Sequence, residues 1–84
     1  MKKRKLLHKA LVGGKNLRFA EFCSLALAFG YRLDRVSGSH HIFEHPSADR
    51  PLNLQNAGGK AKPYQVRQFL RDIEEFNLRL ADNP

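Results

Sequence analysis

Residues 38–46 read Gly-Ser-His-His-Ile-Phe-Glu-His-Pro and place three of the chain's four histidines within six positions. An imidazole can hold a metal ion or move a proton, since an unperturbed ring titrates near ~6.5. The first chemistry fails on spacing. On a strand, His40 and His41 point to opposite faces, and His41 and His45 share a face about 13 Å apart at ~3.3 Å per residue. One zinc ion with ligand bonds of ~2.0–2.1 Å does not bridge that gap. A helix would align His41 with His45, but Gly38, Pro46 and the Ile42-Phe43 centre favour a strand. The single cysteine, Cys23, excludes an internal disulfide and an all-cysteine zinc site. It is expected to pack as a small hydrophobe on a helix, and no metal site is expected.

Proton transfer needs only one well-placed ring. His40 follows a Gly-Ser turn at the start of a strand, where a substrate can reach it. In RNA the proton to remove lies on a 2′-hydroxyl, whose oxygen then attacks the adjacent phosphate, with no metal or cofactor required. A positioned general base is worth ~10²–10⁴ in rate. A histidine that merely lines a strand looks the same at this level, so the residue types leave both readings open. Gly58-Gly59-Lys60-Ala61-Lys62-Pro63 adds flexible backbone and two lysines before a helix N-terminus, where free N–H groups and the helix dipole attract phosphate. Arg67, one turn further, extends the same basic patch. A solvated basic loop is the competing reading, and no GxxxxGK[ST] pattern is present.

Charge points the same way. Fifteen Lys and Arg against eight Asp and Glu give +7 and a pI near 10.1, which suits a polyanionic partner, nucleic acid before an acidic protein. The terminal run Lys2, Lys3, Arg4 and Lys5 supplies four of those charges, and +3 remains without it. His8 and Lys9 interrupt the apolar stretch after that run, so it is too short for an export signal. No segment approaches the ~20 apolar residues of a membrane span, and a cytoplasmic protein is expected.

The elements that must position these groups follow from periodicity. Eighty-four residues, 42% hydrophobic and 27% charged, make one domain with a thin two-layer core. Residues 1–16 form a basic N-terminal extension in which Leu6, Leu7, Ala10 and Leu11 suggest a short helical turn over 4–11. The domain proper spans 17–80. Phe22, Cys23, Leu25, Ala26 and Phe29 predict a helix over 19–29 closed by Gly30. Residues 31–36 alternate as a strand, with Tyr31, Leu33 and Arg35 on one face and Arg32, Asp34 and Val36 on the other. His40–His45 and Leu52–Gln55 make two more strands. Pro63 opens a helix whose Val66, Phe69, Leu70, Ile73 and Phe76 share one face, with Arg67, Arg71, Asp72, Glu74 and Glu75 outside. Residues 77–80 form an alternating tail. The order is αβββα, an α+β plan with both helices on one face of a three-stranded antiparallel sheet, as in double-stranded RNA-binding domains.

Val-Ser-Gly-Ser-His-His-Ile-Phe-Glu-His-Pro followed by Gly-Gly-Lys-Ala-Lys-Pro-Tyr-Gln-Val-Arg-Gln-Phe-Leu resembles the HicA toxin family of bacterial toxin–antitoxin pairs, over roughly residues 17–76. The resemblance implies a double-stranded-RNA-binding-like fold and metal-independent mRNA cleavage. It also implies neutralisation by a HicB-type antitoxin. An antitoxin that inhibits is expected to cover His40 and the sheet face or basic loop around it. The resemblance assigns the catalytic histidine to His40, with Gly38 and Ser39 matching the motif that presents it, and no cofactor. Gly38, Ser39, His41, Lys60, Lys62 and Arg67 are the expected substrate-binding residues. Gln55, Asn56 and Ala57 stand where many members carry an apolar residue, Pro and His, so the general acid falls to His41, His45 or Lys60. Two other functions fit the same surface. A non-catalytic RNA-binding module would bind RNA through it without cleavage, and a protein-interaction module would use it mainly for an acidic antitoxin.

Overall fold

Phe19, Phe22, Leu25 and Ala26 are buried at helical spacing, and around them the chain builds the second of three helices. The computed structural model describes residues 3–81; of the terminal basic run, Lys2 lies outside the described residues. The order is α1 (Lys3–Leu11), α2 (Phe19–Ala28), β1 (Arg32–Ser37), β2 (His40–Glu44), β3 (Leu52–Gln55) and α3 (Pro63–Glu75). The strands form one antiparallel sheet in the order β1-β2-β3. This is the expected α+β, αβββα layout, with α1 as an additional helix.

Register assigns the two sheet faces. His41 lies opposite Leu54 and Phe43 opposite Leu52, and Phe43, Leu52 and Leu54 belong to the core with Phe22, Phe69 and Val66. His40, Ile42, Asn53 and Gln55 therefore point to the other, open face. Phe69 is fully buried and meets Phe22 and Phe29 edge-on at 5.5 and 5.6 Å, which fixes α3 against α2. The tail beyond α3 docks: Leu78 is buried, and the Ala81 N–H donates to the Ala28 carbonyl at 2.7 Å.

The helical turn expected over 4–11 is α1, nine residues long, and its Leu6 and Ala10 are almost fully buried in the common core. The Lys9–Glu21 ion pair, at 2.9 Å, ties it to α2. In β1, a bulge between Leu33 and Arg35 breaks the simple alternation. The extra residue, Asp34, puts Leu33 with Val36 on the helix side and Arg32 with Arg35 on the open side. Asp72, expected on the outer face of α3, is 2% exposed. It accepts from Arg50 at 2.6 Å and from Gln68 at 2.8 Å. The Arg50 guanidinium also donates to Glu75 at 2.9 Å; Glu75 and Asp72 together hold Arg50 above its ordinary pKa. A paired carboxylate tolerates a burial that an isolated one would not.

Two glycines are required by geometry. Gly30 closes α2 at φ +94°, and a Cβ there would come within 2.9 Å of the His45 ring. Gly38, at φ +60°, and Ser39 form the two-residue hairpin between β1 and β2, with glycine at the first central position as a type II′ turn demands. Burial pushes the Cys23 thiol up to about 11, so it is a packing group in α2.

Candidate active site

The turn at Gly38-Ser39 delivers His40 to the first position of β2. The β3 pairing then decides what surrounds it. Asn53 and Gln55 alternate onto the same open face, and His40 pairs with Gln55. The Asn53 Oδ1 lies 2.9 Å from His40 Nδ1. An amide oxygen only accepts, so Nδ1 carries the proton in the neutral ring and the Nε2 lone pair is left over. That half-exposed ring has the form a general base needs.

A second set of bonds closes around the first. Gln55 Nε2 donates to Ser39 Oγ at 3.3 Å, and Lys62 Nζ donates to Gln55 Oε1 at 2.6 Å. The Asn56 N–H donates to the Ser39 carbonyl at 2.8 Å. The Gln55 N–H, on the outer edge of β3, donates to Gln65 Oε1 at 2.9 Å. Ser39, Gln55 and Lys62 are thus brought together beside His40, with the ammonium group held by an amide from His40's own cross-strand neighbour. Gln55 and Asn53 were missed as site residues in the sequence. The signal available was the Leu-Asn-Leu-Gln alternation, which places both amides on the face opposite two buried leucines.

The other histidines are differently used. His41 turns to the helix side, where its ring meets Phe19 edge-on at 4.8 Å and its Nδ1 is buried without a partner among the described residues. His45 Nε2 lies 3.0 Å from the Phe29 carbonyl and Nδ1 accepts from the Ser47 N–H at 2.9 Å. Both of its ring nitrogens are engaged, and the ring packs on Tyr31 at 5.1 Å.

The Gly58-Gly59 loop is more ordered by its own bonds than its composition suggests. The Gly59 N–H goes to Asn56 Oδ1 at 2.6 Å, the Lys60 N–H to the Ala57 carbonyl, and the Ala61 N–H to the Leu17 carbonyl. Most of the N–H groups expected to meet phosphate are therefore engaged inside the protein, and the cation of the exposed Lys60 is the group the loop offers. The Phe19 N–H, donated to the Gly59 carbonyl at 3.0 Å, holds the loop on the start of α2. Arg67 is exposed one turn into α3. Among the described residues no hydrogen bond joins Lys60, Arg67 or His41 to the His40 group. On the open face, Arg35 lies opposite Ile42 and Ser37 opposite His40, so β1 adds a cation that the simple alternation had grouped with Leu33.

Against protein families, the model described as HicA toxin of bacterial toxin-antitoxin matches residues 19–74, two thirds of the chain. That span runs from the start of α2 almost to the end of α3 and contains the His40 group. No curated protein and no solved structure matches.

Proposed function

We propose, from the premise that this chain belongs to the HicA toxin family of bacterial toxin–antitoxin systems, that it is a metal-independent endoribonuclease acting on mRNA through His40. The observation that carries this is the His40–Asn53 hydrogen bond at 2.9 Å, which leaves a basic Nε2 on the open sheet face. His40 Nε2 takes the proton of a 2′-hydroxyl. The 2′ oxygen attacks the adjacent phosphorus, the bond to the 5′ oxygen breaks, and that oxygen takes a proton from solvent. The products are a 2′,3′-cyclic phosphate and a 5′-hydroxyl end. Lys62, anchored by Gln55, offsets the charge that builds on the phosphoryl oxygens. Gly38 and Ser39 set the turn that presents His40. Lys60, Arg67 and Arg35 add phosphate affinity around the site. His41 and His45 support the strand from the helix side.

Family membership carries with it an antitoxin partner. We assign that role to a HicB-type protein that inhibits by covering His40 and the open face. No described helix is long and apolar enough to cross a membrane.

The chemistry is tested with a cleavable RNA and the same RNA carrying a single 2′-deoxy nucleotide at the mapped cut. The deoxy substitution abolishes cleavage at that position, and the 5′ fragment cut from the all-ribose RNA ends in a cyclic phosphate. Undiminished cutting of the deoxy substrate would contradict attack by the 2′ oxygen.

A further inference from the structure

Seven of the eight phenylalanine and tyrosine rings are buried or half-buried, and Tyr64 alone is exposed, at 55%. It stands in the first turn of α3, beside the His40 group rather than away from it. Lys62 Nζ, the cation held by Gln55, lies 5.8 Å from the Tyr64 ring centroid. Tyr64 and Asn53, the residue that holds His40, line one recess of about 330 Å³ with Gln65 and Gln68. The ring is also steadied, since Gln65 Nε2 donates to its hydroxyl at 3.4 Å. Gln65 is itself buried and fixed on the Gln55 N–H.

We infer that Tyr64 and this recess form a nucleobase-stacking site that holds one unpaired base of single-stranded RNA next to the phosphate cleaved at His40. This rests on the ribonuclease reading above and deepens it by naming the substrate's form. An exposed aromatic ring gains little in water by itself, whereas a nucleobase offers a flat π face to cover it. The base's phosphodiester then falls beside Lys62, and Lys62 leads through Gln55 to the strand position of His40. Bases in a duplex are already stacked on each other, so the site selects unpaired RNA. The Asn53 amide nitrogen, whose oxygen is occupied by His40, adds a donor at the recess wall.

The test measures binding in a His40→Ala background, which removes cleavage. The probes are a single-stranded oligoadenylate and a matching abasic ribose-phosphate chain. Tyr64→Ala is expected to weaken oligoadenylate binding roughly 5- to 150-fold, the range for loss of one aromatic stack, and to leave the abasic chain unaffected. Tyr64→Phe keeps the ring and binds both probes as the parent does. Equal loss on both probes, no loss on either, or a Tyr64→Phe defect as large as that of Tyr64→Ala would overturn the stacking site. Cleavage by wild type in EDTA is scored separately. If wild type fails to cleave while Tyr64→Ala shows the base-dependent loss, the ribonuclease reading falls and the stacking site stands. If wild type cleaves while Tyr64→Ala binds oligoadenylate normally, the stacking site alone falls.

Discussion

His40 is set apart from its neighbours by which ring nitrogen is left free. His45 has both nitrogens engaged and His41 faces the helices, whereas Asn53 occupies only Nδ1 of His40. Asn53→Ala is expected to lower single-turnover cleavage roughly 10- to 100-fold through loss of ring orientation. Asn53→Asp sets a carboxylate against Nδ1 and stabilises the imidazolium, so the acid limb of the pH–rate profile should move to higher pH. An unmoved profile in Asn53→Asp would remove Asn53 from the mechanism. The His40 position was legible because a Gly-Ser turn before a strand announces itself locally. Asn53 was not. Its place beside His40 depends on how β3 pairs with β2 across residues 45–51, and no local pattern sets that register.

Among the elements, α1 shows that periodicity can place a helix without placing it in the core. Leu6, Leu7, Ala10 and Leu11 suggest a short helical turn over 4–11, and Leu6 proves to be 2% exposed and packed with Leu17, Phe22 and Val66 in one cluster. Leu6→Ala should cost ~2–5 kcal/mol in urea unfolding, as for other buried leucines; a loss near zero would mean that α1 is dispensable. The α2 and α3 stripes were readable because each repeats at 3.6 residues. The β1 faces were misassigned because one bulged residue, Asp34, shifts the alternation and leaves no mark in composition. Asp72 was misplaced for a related reason. Its burial depends on Arg50, a loop residue distant in sequence that reaches it at 2.6 Å. The composition of the Gly-Gly loop misled in the opposite direction, since Asn56 and Ala57 take up N–H groups that glycine-rich loops elsewhere leave for a ligand.

At the scale of the whole molecule, a thin core makes buried polar groups consequential. The Tyr31 hydroxyl is buried without a hydrogen-bond partner among the described residues. Burial, with the nearby Asp72 charge, pushes its pKa up to about 12 from an ordinary 10.0. The folded state thus holds the phenol proton that the unfolded state releases. Stability should be full below pH ~10 and fall as pH rises toward 12. Tyr31→Phe should lessen that alkaline loss without destabilising the protein at neutral pH, which thermal unfolding across pH would check. The net charge of +7 and the open sheet face suit a long polyanion laid over His40, between the Arg35 side of the sheet and Lys62. Charge and sheet order were both readable from the sequence; the convergence of Asn53, Gln55 and Lys62 on His40 was not, because it exists only once the sheet and α3 are assembled.

The most direct test compares purified wild type and His40→Ala on a long RNA in EDTA. Cleavage by wild type, a loss of at least ~10²-fold in His40→Ala, and similar RNA binding by both proteins are expected. Equal cleavage by the two proteins, or binding by both with cleavage by neither, would contradict His40 as the catalytic base.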